Sequence, residues 1–178
     1  MQSVLKPVPG RACGSCMMCC KVIPIPEMRK AAGIWCTHAV PGKGCGIYET
    51  RPQGCRGFYC QWMINPKLGP EWKPERAKFV LRTGGGNIGE RLILLSVDPS
   101  FPNAWTKAPY FEVIKKWARD GAAERRVVLV QIGSRHIVVL PDRIVEVGEL
   151  DVEFDIGLAP KIEASGLSYG VIVNGRLY

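Results

Sequence analysis

Eight cysteines occupy the first third of this 178-residue chain, and none follows Cys60. Four of them fall in the run Cys13-Gly-Ser-Cys16-Met-Met-Cys19-Cys20, and Cys36, Cys45, Cys55 and Cys60 complete the set. A hydrophobic core takes cysteine singly, as a small apolar filler. Thiolates two residues apart in a tight turn instead converge on one point, which suits a tetrahedral ion or a corner of an iron–sulfur cluster. Crowding of this kind predicts thiolate metal ligation in the opening segment.

The triplet Cys13-x2-Cys16-x2-Cys19 has the spacing of the first three ligands in the bacterial ferredoxin run. The fourth member of that run is absent, and Cys20 follows Cys19 directly. Side chains of adjacent residues diverge along an extended chain, so Cys20 is expected to serve a second metal or to remain a nearby thiol. A further ligand must then arrive from Cys36, Cys45 or Cys55. Eight thiolates also fill two zinc sites of four each, with Cys19 and Cys20 divided between them. Both arrangements stay open, as do four disulfides on the even count alone. His38, two residues past Cys36, offers a mixed Cys/His zinc site at shorter than usual spacing.

The second constellation is Cys45-Gly-Ile-Tyr-Glu-Thr-Arg-Pro-Gln-Gly-Cys55-Arg-Gly-Phe58. Together with the CxxCxxCC run and the lone Cys36, it resembles the zinc- or iron-chelating cysteine-cluster family of YkgJ-type proteins. The resemblance covers residues 12–60, a third of the chain, and includes the non-cysteine residues. It implies metal ligation by Cys13, Cys16, Cys19, Cys20, Cys36, Cys45 and Cys55, to which Cys60 adds an eighth thiol. That family is in turn similar to the cysteine-rich part of flagellin lysine methylases, which suggests an iron–sulfur cluster. Within the motif, Pro52 biases Arg51 toward extended backbone. Arg51 and Arg56 are placed to offset thiolate charge, while Tyr48 and Phe58 would shield the site from water.

The rest of the chain must position these sulfurs. Residues 1–64, rich in proline and glycine, read as an irregular module that needs metal staples to hold together. Within it, Pro26 to Ala32 reads as a short helix ended by Gly33. Residues 65–74, Asn-Pro-Lys-Leu-Gly-Pro-Glu-Trp-Lys-Pro, mark a connector. Residues 75–178 read as a small, mostly antiparallel sheet with one main helix, so the fold class is α+β. Strands are predicted over 77–82, 91–97, 126–132, 136–140, 144–147 and 169–173, the last followed by an Asn174-Gly175 turn. The helix is predicted over Tyr110 to Ala118, with Phe111, Ile114, Trp117 and Ala118 on its apolar face.

Other patterns carry less chemistry. Gly84 to Gly89 satisfies G-x-G-x-x-G, yet the residues that follow read as a strand, which favours a hairpin loop over a dinucleotide site. Asp151, Glu153 and Asp155 alternate along a possible strand, as a solvated edge or a hard-cation face. His136 falls inside an apparent strand, half-buried or facing solvent. No catalytic constellation emerges.

Residues 1–90 hold 13 Lys/Arg against 5 Asp/Glu, whereas residues 91–178 hold 11 of each. The basic half fits either charge compensation for thiolates or a protein or nucleic-acid partner. No apolar run approaches the roughly 20 residues that span a bilayer, and residues 1–10 lack an apolar signal core. The expectation is a cytoplasmic protein, where cysteines persist as thiols or ligands. Zinc or an iron–sulfur cluster is the expected cofactor, with a structural or redox role. A methyltransferase-like protein modifier and a zinc-stabilised nucleic-acid binder are the alternatives.

Overall fold

The computed structural model describes residues 6–178 apart from Gly86, Val152 and Ser165. Up to residue 77 regular structure is short: α1 (Met18–Val22), β1 (Ala39–Val40), β2 (Gly44–Cys45), α2 (Gln53–Arg56), α3 (Gln61–Ile64) and α4 (Pro74–Ala77). Longer elements follow, namely β3 (Phe79–Thr83), β4 (Leu92–Val97), α5 (Tyr110–Gly121), β5 (Val127–Ile132), β6 (Arg135–Val139), β7 (Ile144–Glu149), β8 (Ile156–Glu163), β9 (Gly166–Val173) and β10 (Arg176–Leu177). The chain is thus mixed α and β, with few helices and mostly antiparallel sheets. Among the described residues no helix is long and apolar enough to cross a membrane.

The main sheet has the order β3-β4-β5-β6-β7. Its one parallel pair, β4 with β5, is the pair joined through α5, as a parallel connection requires. Side chains alternate between its faces. Phe79, Leu81, Ile93, Leu95, Val128 and Val130 meet Ile114 and Ala118 of α5 in one core. Leu92, Leu94, Leu129 and Val138 point the other way and are covered by Ile156, Leu158, Val171 and Val173 of the three-stranded β8–β9–β10 sheet. That second sheet stops short of edge strand β3. Val80, on the same face, is instead covered by Met18 and Val22 of α1.

The contact between the cysteine segment and the sheet is reinforced around Pro99. Lys21 Nζ lies 2.6 Å from the carboxylate of the buried Asp98 and donates to Ser100 Oγ at 2.9 Å. A Cβ on Gly33 would stand 2.8 Å from Pro99 Cγ, so glycine is what allows this approach. Residues 65–74 are packed rather than loose. Trp72 is buried edge-on against Phe79 and Tyr110, with ring centroids 5.9 and 5.1 Å away, and Tyr110 Oη donates to Glu71 O at 2.8 Å.

Several expectations need correction. The 26–32 helix shrinks to a 3₁₀ turn, Pro26–Met28, because Arg29 turns left-handed at φ 51° and Ile25 pairs with Lys30. The alternating Asp151, Glu153 and Asp155 lie in the connection before β8, not on a strand. His136 is buried, with its Nδ1 3.3 Å from Gly148 O, and burial lowers its pKa. The glycine-rich stretch, of which Gly86 lies outside the described residues, joins β3 to β4 through a 3₁₀ turn and opens no α-helix. Helix α5 continues past Ala118: it starts after Pro109 and ends at Gly121, the two residues that fit its start and end in the sequence.

Trp72 ties the connector, β3 and α5 into one core. Trp72→Ala should therefore cost about 3–5 kcal/mol of stability, read as a lower urea midpoint with coincident loss of near- and far-ultraviolet circular dichroism.

Candidate metal centre

Six local devices bring the cysteines to the site. Cys13 and Cys16 bracket a turn closed by Cys16 N–H to Cys13 O at 2.9 Å, with Gly14 left-handed at φ 55°. Cys19 and Cys20 ride on α1, where the packing of Met18 and Val22 on Val80 fixes their height above the sheet. Cys36 is tied back to α1 by its N–H to Cys20 O at 2.9 Å. Cys45 lies on the β1–β2 hairpin, which rests on the first turn: Gly44 has φ 102°, and a Cβ there would meet Gly14 O at 3.3 Å. Cys55 belongs to α2, whose start is held by Gly54 N–H to Glu27 Oε1 at 3.2 Å. Cys60 is the residue that opens α3.

These devices bring all eight cysteines to the wall of a single cavity of about 320 Å³. None is in a disulfide. Among the described residues, no group of three or more His, Cys, Asp or Glu side chains is gathered tightly enough to hold a metal ion as it stands. The sulfurs ring a space rather than meet at a point. His38 lies off that wall, and its carbonyl accepts from Gly46 N–H at 2.8 Å.

Protonation follows from the surroundings. Burial is the main reason that the Cys13, Cys16 and Cys55 thiols are pushed up, and Cys60 rises to about 11 for the same cause. The peptide N–H groups of Met63 and Trp62 favour the Cys60 thiolate but do not outweigh burial. Cys19 and Cys20 pair through a hydrogen bond, which lowers Cys20 to about 7 and raises Cys19. Most of these sulfurs therefore hold their protons until a cation takes the proton's place.

Cationic and donor groups share the wall. Arg51, Trp62 and Arg82 all line the cavity, and Arg51 Nε, Trp62 Nε1 and Arg82 Nε are buried without a hydrogen-bond partner among the described residues. Among the described residues one other buried side-chain atom is so placed, Ser168 Oγ. Arg51 also stacks on Tyr48, its guanidinium carbon 3.7 Å from the ring centroid. Burial holds the Arg82 pKa below the usual arginine value. Buried donors without acceptors are costly, and their concentration here fits an anionic guest such as metal-bound thiolate sulfur. The chemistry of the donor set fits a thiolate-bound metal.

Of the other motif residues, Phe58 reaches the cavity, while Tyr48 is 51% exposed and shields it only in part. Arg56 does not line the cavity; it donates to Arg51 O at 2.8 Å and Glu49 O at 2.9 Å, bracing the loop. Arg11 and Lys30 do similar work. Arg11 donates to the carbonyls of Trp62, Asn65 and Leu68, and Lys30 to those of Lys21, Ile23 and Ala31. An irregular chain lacks a ladder for its carbonyls, and these cations supply the partners.

Sequence reasoning passed over Arg82 and Trp62. A signal existed for Arg82: it stands two residues from Val80 in a strand, hence on the same face. The chain matches no protein-family model, no curated protein and no solved structure.

With all eight thiols free, protein unfolded in chelator without reductant should consume eight equivalents of an aromatic disulfide reagent per chain. A count lower by two would reveal a disulfide.

Proposed function

We propose that this protein is a metal-binding protein in which the cysteine thiolates hold zinc or an iron–sulfur cluster in a structural or redox role. The observation that carries the reading is the convergence of eight free thiols and three unpartnered buried donors on one cavity. The spacing of the same cysteines over residues 12–60, by which they resemble the YkgJ-type family, points the same way. When bound, zinc supplies a covalent-strength cross-link, and an iron–sulfur cluster adds one-electron transfer.

The chain's own residues do the rest. The eight cysteines come from six local devices between residues 13 and 60, so ligation staples a segment that has little core of its own. Met63 and Val80 form apolar wall, which limits water on that side of the sulfurs and strengthens charge interactions there. Arg51, Arg82 and the Trp62 indole offer N–H groups to sulfur and offset its charge. The nucleic-acid alternative draws less support, because Arg11, Lys30 and Arg56 spend their donors on backbone carbonyls instead of on an open basic face.

Elemental analysis and an absorption spectrum of anaerobically purified protein test the proposal. Metal should be present, brown if iron–sulfur and colourless if zinc. Cys16→Ser should lower metal content and raise amide exchange across residues 6–64 by tenfold or more, while β3–β7 keep their protection. Full metal retention with unchanged exchange in that variant would count against it.

A further inference from the structure

We infer that the eight thiols form two adjacent four-sulfur metal sites, one of Cys13, Cys16, Cys19 and Cys60, the other of Cys20, Cys36, Cys45 and Cys55. The inference rests on the metal-binding reading above and specifies how that site is built.

The first set is a packing unit. Cys16, Cys19 and Cys60 all pack against the Met18–Val22–Val80 cluster on edge strand β3. The Cys13–Cys16 turn brings the fourth sulfur to the same place. Cys19 lies within electrostatic reach of Cys13 and Cys16, and so does Cys60.

The second set is a backbone unit. Cys36 N–H bonds Cys20 O, and Ala39, which bonds Cys36 O at 3.0 Å, is the cross-strand partner of Cys45. That chain of contacts links α1, the Cys36 loop and the hairpin. Cys55 completes it, lying within reach of Cys20, Cys36 and Cys45. Lys30, pinned by three carbonyls, lies within electrostatic reach of Cys36, Cys20 and Cys55, and of Cys19 across the border.

The division falls between Cys19 and Cys20, whose side chains pair in this structure, so the two sites share a border there. Successive residues on a helix differ by about 100° in direction, which lets each sulfur lean to its own side. Cys20 also lies near Cys13, which makes the two sites neighbours across the α1 pair. A divalent ion in either set replaces the thiol protons, which leave to solvent, and four thiolates with one such ion carry a net −2. The cations are distributed to match: Lys30 on the second set, and Arg51 between the two, in reach of both Cys13 and Cys45.

The test is a cadmium titration of the full, reduced, metal-stripped chain under anaerobic conditions, followed by cadmium-113 nuclear magnetic resonance. Two resonances in the all-sulfur range and saturation at two equivalents are expected. Cys60→Ser should abolish one resonance and Cys55→Ser the other, each variant still binding one equivalent. Saturation of the wild-type chain at one equivalent, or loss of the same resonance in both variants, would overturn the two-site assignment and leave metal binding intact. A wild-type chain that takes up no cadmium would sink the metal-binding reading itself.

Discussion

Two arginines and a tryptophan, each with a buried N–H that has no partner among the described residues, share a cavity wall with eight thiols, and this charge relationship governs the first half of the molecule. A guanidinium or indole N–H taken out of water without an acceptor carries a desolvation cost. Protonated thiols offer it almost nothing. Thiolates would satisfy it, but burial opposes their formation at Cys13, Cys16, Cys55 and Cys60. A metal in the proposed site would resolve both difficulties at once, because it would keep sulfur anionic at neutral pH and leave residual negative charge for the arginines.

The architecture makes this possible by leaving one edge of a sheet uncovered. The β8–β9–β10 sheet blankets the face of β4 to β6 but not β3, so Val80 and Arg82 are open to something else. The cysteine segment fills that place. It has almost no repetitive structure, and its stability comes from α1 packing on Val80, from the Lys21–Asp98 pair, and from cations that bind its stray carbonyls. The basic excess of the first half is thereby explained in part as internal bracing.

Much of the second half is legible in the sequence because periodicity and burial agree. The spacing of Ile114 and Ala118 predicts α5, and the β-branched runs at 127–132 and 136–139 predict β5 and β6. β8 escapes that reading because it contains Gly157 and Pro160, which argue against a strand. It is an edge of its sheet, where a missing N–H is tolerated. The end of α5 at Gly121, by contrast, is legible, because glycine fits a helix stop, and Arg126 Cβ would stand 2.8 Å from a Cβ there. In the first half, α1 has no capping side chain and only five residues, so packing rather than propensity makes it a helix. The cysteines announced the cavity by their number and spacing. Which face of β3 they would cover, and so the part played by Arg82, depends on where the second sheet ends.

The central claim is that sulfur from this segment surrounds a metal in the folded protein. X-ray absorption at the metal edge of protein purified without added metal addresses it most directly. The account predicts a first shell made of sulfur alone, at about 2.3 Å if the metal is zinc. A first shell of nitrogen or oxygen, or protein that contains no metal to excite, would contradict it.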